Sequence, residues 1–174
     1  MMKKALKNKT IRMRGIILTI IMILLIISLY PINILEASDY RTDNYLKGWQ
    51  MKKGDKFHIK HIHSVQLVPV VEVYSIDNKN NIILEESYFH SYGAGLPATT
   101  PYKFEITEKG FRIYDINEKM DNLIYRTGVI KANHQVYIRG QYYPFLDFSE
   151  GKTSVIFKVK KTSLLKYLVR EVIK

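Results

Sequence analysis

Apolar residues are laid along this chain in three ways, and each way predicts a different kind of element. Residues 15–35 read GIILTIIMILLIISLYPINIL, apolar on every side and free of charge. A helix rising about 1.5 Å per residue over that length covers the roughly 30 Å hydrocarbon core of a bilayer. A helix that is apolar all round suits lipid better than the one-sided packing of a surface helix. Past Gly54 the pattern changes to short runs rich in β-branched and aromatic residues, at 57–63, 70–76 and 82–92. Tyr102, Phe104 and Ile106 then alternate with Lys103, Glu105 and Thr107, the period of a half-buried strand. Further strands are predicted at 111–114, 123–125, 135–139 and 153–160. Turn signals separate the runs, among them Asp77-Asn78-Lys79-Asn80-Asn81, Glu108-Lys109-Gly110 and Ser149-Glu150-Gly151-Lys152. Pro69 confines pairing at its position to an edge or a bulge. The third pattern closes the chain. Leu164, Leu165, Leu168, Val169, Val172 and Ile173 follow helical spacing, with Lys166, Arg170, Glu171 and Lys174 on the other face. Thr162 or Ser163 can cap this amphipathic helix over 163–173.

The predicted fold is all-β, an antiparallel sandwich or partly open barrel. One N-terminal transmembrane helix precedes it, and the short amphipathic helix ends it. That last helix is expected to cover a face or edge of the sheet; docking on a partner or on the membrane surface is the alternative. The segments are then a basic stretch 1–14, an anchor 15–35, a polar linker 36–53 and a β domain 54–174. Trp49, the chain's one tryptophan, is expected to pack under the fold, a place near the membrane interface being the alternative.

Charge sharpens this picture. The formal net charge is +11, and Lys3, Lys4, Lys7, Lys9, Arg12 and Arg14, all ahead of the apolar run, supply six of it. The first acids, Glu36 and Asp39, come after that run. Cationic residues before a span hold that side in the cytoplasm, so the β domain is expected outside it, on a single-pass protein of the cell membrane. The run exceeds the 7–15 residues of an ordinary signal h-region, and Leu35-Glu36-Ala37 is a poor cleavage site. An uncleaved anchor is therefore expected over a cleaved signal. With so much of the basicity topogenic, nucleic-acid binding is not expected. The chain has no cysteine, hence no disulfide, thiolate site or cysteine nucleophile.

Candidate chemistry gathers in two stretches. His61 and His63 lie two apart and share a strand face, while His58 points the other way. Two imidazoles can begin a metal site if His90 or Glu72 supplies a third ligand, yet structural hydrogen bonding explains them as well. Glu72 stands on an apolar strip with Val70, Tyr74 and Ile76, and His90 among Leu84, Tyr88 and Tyr92. A polar group on such a strip must find a partner, and a cross-strand Glu72-His90 pair would satisfy both. Ser64 and Ser91 each follow a histidine, but no Gly-x-Ser-x-Gly elbow is present. Gly93-Ala94-Gly95-Leu96-Pro97 lacks the Lys-Ser/Thr of a phosphate loop, though its amides could hold an anion. We expect His63, Ser64 and Glu72 to meet Ser91 and residues 93–97. The meeting would be either an internal clamp or a pocket for a carboxylate or a partner's chain end. No cofactor is expected.

Ile62-His63-Ser64-Val65 with Pro69 and Glu72, followed by Phe89, Ser91 and Gly93-Ala94-Gly95-Leu96-Pro97, resembles the signature of a bacterial family, domain-of-unknown-function family 1850. The resemblance covers about residues 53–139. It implies a small exported or membrane-anchored protein. Such proteins are often encoded beside the membrane subunit and the solute-binding protein of TAXI-class tripartite ATP-independent periplasmic (TRAP) transporters. The implied role is accessory, in the uptake of organic or amino-acid carboxylates, with the bilayer and one of those transporter subunits as partners. It implies no activity. Gln66 and Val71 stand where the family commonly has acids. The alternative reading is an exported metal-assisted hydrolase built on His61, His63, His90 and Glu72.

Overall fold

The apolar run that opens the chain begins as a helix and ends as a strand. The computed structural model describes residues 2–90, 99–108, 110–129 and 131–173, with side chains from residue 12 onward. Helix α1 spans Met2–Leu29, and its stretch Arg12–Leu29 is long and apolar enough to cross a membrane or serve as a signal sequence. The sequence pattern extended the span to Leu35, but the helix stops at Leu29. Pro31 is the cause: it disfavours the α conformation at Tyr30 and has no N–H to continue the ladder. Pro31 instead opens a strand, a position that tolerates proline.

The chain divides into two compact units, residues 1–32 with 161–174, and residues 33–160. In the first, helix α2 spans Leu164–Val172 beside α1. Ser163 caps it as expected, its Oγ accepting from Lys166 N at 3.2 Å. Leu164 N donates to Tyr30 O at 3.0 Å. No residue of α2 is buried. Leu165, Leu168, Val169, Val172 and Ile173 are between 44% and 79% exposed.

In chain order the strands are β1 Pro31–Asp39, β2 Tyr45–Gln50, β3 Lys56–Ile62, β4 Pro69–Ile76, β5 Ile82–Phe89 and β6 Lys103–Thr107. They continue as β7 Gly110–Tyr114, β8 Glu118–Lys119, β9 Leu123–Arg126, β10 Gln135–Ile138, β11 Gln141–Pro144 and β12 Ser154–Ser163. They form two antiparallel sheets, and neither closes on itself. One has the order β2-β1-β12-β9; the other runs β11-β10-β3-β4-β5-β7-β6, with β8 paired to β5. The arrangement is an open sandwich. Its core draws Leu35, Trp49 and Phe157 from the narrow sheet and Phe57, Ile59, Tyr74 and Val136 from the wide one. The hairpin at 77–81 forms as expected. Asp77 Oδ1 accepts from the N–H groups of Lys79 and Asn81, both at 2.7 Å, and Asn80 takes φ 63°.

Two expectations fail for physical reasons. Residues 36–53 are not a polar linker: they hold the end of β1 and all of β2. Trp49 is buried edge-on against Tyr143 at 5.5 Å and Phe148 at 5.6 Å. Glu36 made the stretch look solvated, yet it is 2% exposed and paired with Lys160 Nζ at 2.6 Å. A buried charge is tolerable when it is paired and hydrogen-bonded, and Ser38 Oγ adds a bond at 3.2 Å. In β6 the alternation is present but reversed in burial. Ile106 is 75% exposed, while Glu105 is partly buried on Arg112 at 2.7 Å. Four strands cannot back all of an eight-stranded sheet, and β6 ends the wide one.

Candidate functional site

The register of β3 on β4 decides which polar residues face the core. Phe57 opposes Tyr74, Ile59 opposes Glu72 and His61 opposes Val70. Residues directly opposite share a face. Phe57, Ile59 and Tyr74 are fully buried, so His61 and Glu72 stand on the inner face. His58 opposes Val73, lies on the outer face and rests on Tyr137 with ring centres 5.3 Å apart.

Glu72 finds its partner in the other sheet. Tyr125 of β9 donates its hydroxyl to Glu72 Oε2, and its oxygen lies 2.7 Å from the Tyr74 hydroxyl. The expected Glu72-His90 pair does not form. On β5, Phe89 opposes Val70 and Ser87 opposes Glu72, so Phe89 is inward and His90 turns out, exposed. A bulge between Val73 and Tyr74 also lets Leu84 share the inner face while Glu86 and Tyr88 take the outer one. His90 lines a separate outer groove of about 500 Å³ with His58, Lys60 and Tyr88.

His61 instead stacks on His134, with ring centres 5.3 Å apart and planes 20° from parallel. Gln135 opposes Lys60, which brings His134, just before β10, beside His61. The Tyr125 ring meets His134 edge-on at 5.9 Å. His134 Nδ1 accepts from Gly128 N at 3.3 Å. His61 Nδ1 is buried and has no hydrogen-bond partner among the described residues. Burial holds the His134 pKa down to about 4, and the His61 ring beside it adds to this. His61 is lowered too, by burial first, with the Glu72 charge opposing. Burial, with the Glu72 charge next, pushes Tyr125 well above the ordinary range and raises Tyr74. At neutral pH the two rings are neutral imidazoles and the two phenols remain protonated.

This carries a pH prediction. Below about pH 6.5 the unfolded chain binds a proton at position 134 that the folded chain refuses until about pH 4. The unfolded state therefore holds more protons in that window, and stability is lost as pH falls through it. We expect a loss on the order of 1–2 kcal/mol, discounted because the ring is not fully buried. Urea unfolding at pH 7 and near pH 4.5 measures it. His134→Gln should flatten the dependence, and equal stability at both pH values would contradict the assignment.

His61 and His134 open into a cleft of about 520 Å³. One side of its lining comes from the end of β3 and its turn, including His63 and Ser64. The other comes from the end of β9 and the turn before β12, including Arg126, Thr127, Gly128 and Lys152. His63 organises its own turn. Its N–H donates to Val68 O, its carbonyl accepts from Leu67 N, and Nδ1 takes the N–H groups of Val65 and Gln66 at 3.4 and 3.3 Å. Thr127 is held beneath by Ser149, hydroxyl to hydroxyl, at 2.9 Å. Gly128 has no room for a side chain: a Cβ there would lie 2.4 Å from Ala132 Cβ. No described carboxylate lines the cleft, and no ion pair or side-chain hydrogen bond engages Arg126 or Lys152 among the described residues. An anion entering it would meet two cations, the hydroxyls of Ser64 and Thr127 and the histidines without displacing a described acid.

The predicted site residues thus fall in different places. His63 and Ser64 line the cleft, Glu72 sits behind Tyr125, and His90 is on the far face of the sheet. Ser91, Gly93, Ala94, Gly95, Leu96 and Pro97 lie outside the described residues. The grouping of His61, His63, His90 and Glu72 does not assemble, and among the described residues no group of three or more histidines and carboxylates could hold a metal ion. Sequence reasoning missed Tyr125, Arg126, His134 and Lys152. His134 was findable only once β10 is known to pair with β3, because the register then sets it opposite His61.

No curated protein and no solved structure matches the chain. The family model described as Domain of unknown function (DUF1850) matches residues 57–145, which run from β3 to the residue after β11 and hold His61, His63, Glu72, Tyr125, Arg126 and His134. That match covers just over half of the chain, and the protein belongs to the DUF1850 family.

Proposed function

We propose that the protein is a membrane-anchored module outside the cytoplasm that binds a small carboxylate in the cleft between the ends of β3 and β9. It acts there as an accessory to a solute transporter of the TAXI-class TRAP type. The observation that carries the reading is the lining of that cleft. Arg126 and Lys152 are cationic and not engaged by a described acid, His61 keeps a nitrogen that no described residue pairs, and no described carboxylate competes. Such a site favours a ligand that is anionic and small, because guanidinium and ammonium groups pair with carboxylates through charge-assisted hydrogen bonds. The anchor reading is supported by α1 and by the cations ahead of it, which favour an N-terminus in the cytoplasm. The family's implied transporter neighbourhood supplies the solute class.

Isothermal titration of the full chain in mild detergent tests this with glutamate, succinate and 2-oxoglutarate as probes. At least one should bind, and Arg126→Ala or Lys152→Ala should each weaken it roughly tenfold. His90→Ala, on the opposite face of the sheet, should leave affinity unchanged. If no carboxylate binds at millimolar concentration, or if the two cleft variants bind as the parent does, the reading falls.

A further inference from the structure

The apolar stripe of α2 is left without a buried contact, and where the helix starts says what covers it. Leu164 N is bonded to Tyr30 O, and Tyr30 directly follows Leu29, the last residue of α1. The first turn of α2 is therefore pinned where the apolar helix ends. We propose that α2 is an interfacial helix lying on the bilayer surface at that level, with Leu165, Leu168, Val169 and Val172 sunk at the boundary of headgroups and acyl chains. The inference rests on the reading of α1 as a membrane span.

Three features support lipid as the occupant. First, burial in α2 is opposite to that of a helix packed on a protein core. Leu164, Tyr167 and Glu171, at helical spacing, are partly covered, while Leu165, Leu168, Val169 and Val172 face out. A stripe of this kind is an interaction surface. Second, the stripe continues another apolar surface. Arg12–Leu29 has none of its residues buried, so a bilayer that receives α1 also reaches the start of α2. Third, the residues at this level suit an interface. Tyr30 is largely exposed beside the junction, and tyrosine favours the headgroup zone. Lys161, near the end of β12, and Lys166, in the first turn of α2, are exposed, and their stems can follow apolar surface while the ammonium groups reach anionic headgroups. A soluble partner would need to recognise the stripe at the membrane level; the bilayer is already there.

The chain has no cysteine, which allows single-site labelling. Leu168→Cys, Val172→Cys, Lys166→Cys and, within α1, Leu24→Cys are each labelled with an environment-sensitive nitrobenzoxadiazole probe. The full chain is reconstituted into vesicles of phosphatidylcholine with phosphatidylglycerol, with and without lipids brominated near the headgroup. All four positions are exposed, so substitution leaves the protein core untouched. Probes at 24, 168 and 172 should be blue-shifted and quenched by brominated lipid, and the probe at 166, on the flank of the stripe, less so. Quenching at 24 without quenching at 168 and 172 overturns the inference and leaves the span intact. In that case a blue shift at 168 that brominated lipid does not quench would mean that a protein surface, such as a second copy of this chain, covers the stripe. A probe at 24 that is not quenched overturns the span reading, and the inference with it.

Discussion

A chain that begins at Gly54 should fail to fold. The cut removes β1 and β2, half of the four-stranded sheet, and with them Ile34, Leu35, Ala37, Trp49 and Met51, all buried. Fully burying one large apolar side chain is worth about 1.5–3 kcal/mol. Several lost together match the roughly 5–15 kcal/mol that holds a whole domain folded. The cut also exposes the flank of β12 that pairs with β1 and leaves Lys160 without Glu36. A chain beginning at Pro31 keeps both strands and should retain a cooperative melt. Near-UV circular dichroism and amide dispersion in a proton-nitrogen spectrum separate the two chains. A cooperative unfolding transition in the Gly54 chain would show that residues 31–53 are dispensable, as a linker would be. Trp49→Ala gives the same answer by a single change, with an expected cost of about 3–5 kcal/mol for emptying a core aromatic site.

That segment also shows why part of the fold was legible in the sequence and part was not. Strands β3, β4 and β5 announce themselves because their β-branched runs are bounded by Gly54 and by the Asp77–Asn81 turn, and local turn chemistry fixes the hairpin. Strand β1 does not. Its apolar residues Ile32, Ile34 and Leu35 continue the hydropathy of α1 without a gap, and only Pro31 marks the change from helix to strand. After them Glu36 and Ser38 read as solvent-exposed, although both are buried, Glu36 paired with Lys160 of β12, more than a hundred residues on, and Ser38 bonded to Glu36. The site divides in the same way. His61, His63 and Glu72 stand out locally, as polar groups in an apolar run. Their partners do not: Tyr125 lies 53 residues from Glu72, on a four-residue strand of the opposite sheet. The facing of His90 was misread because strict alternation along β5 is broken by the bulge, which no local pattern reveals. The family resemblance located the right segment, and the match at residues 57–145 agrees with it, but a resemblance does not orient side chains.

The contact between Glu72 and Tyr125 separates what holds the sandwich together from what the cleft does. Tyr125→Phe removes a donor from a carboxylate on the inner face, and hydrogen bonds to charged groups are worth about 1.5–3 kcal/mol. The loss should approach that range, short of it where Tyr74 supplies part of the replacement. Glu72→Leu should cost less than Tyr125→Phe leaves unmet, because it removes the charge that needs a partner. The double variant should be more stable than the sum of the two losses predicts, since replacing both polar partners by apolar groups avoids an orphaned one. A coupling of about 0.5–3 kcal/mol in this cycle, read from urea unfolding at pH 7, is the expected outcome. Strictly additive losses would mean that the two side chains do not interact. The same variants bear on the cleft. Tyr125 adjoins Arg126 in sequence but points into the core, so Tyr125→Phe should melt earlier and still bind the carboxylate that the parent binds. Arg126→Ala should do the reverse, keeping the melt and losing affinity. If instead Tyr125→Phe abolishes binding at a temperature where the variant is fully folded, Glu72 and Tyr125 belong to the ligand site rather than to the frame behind it.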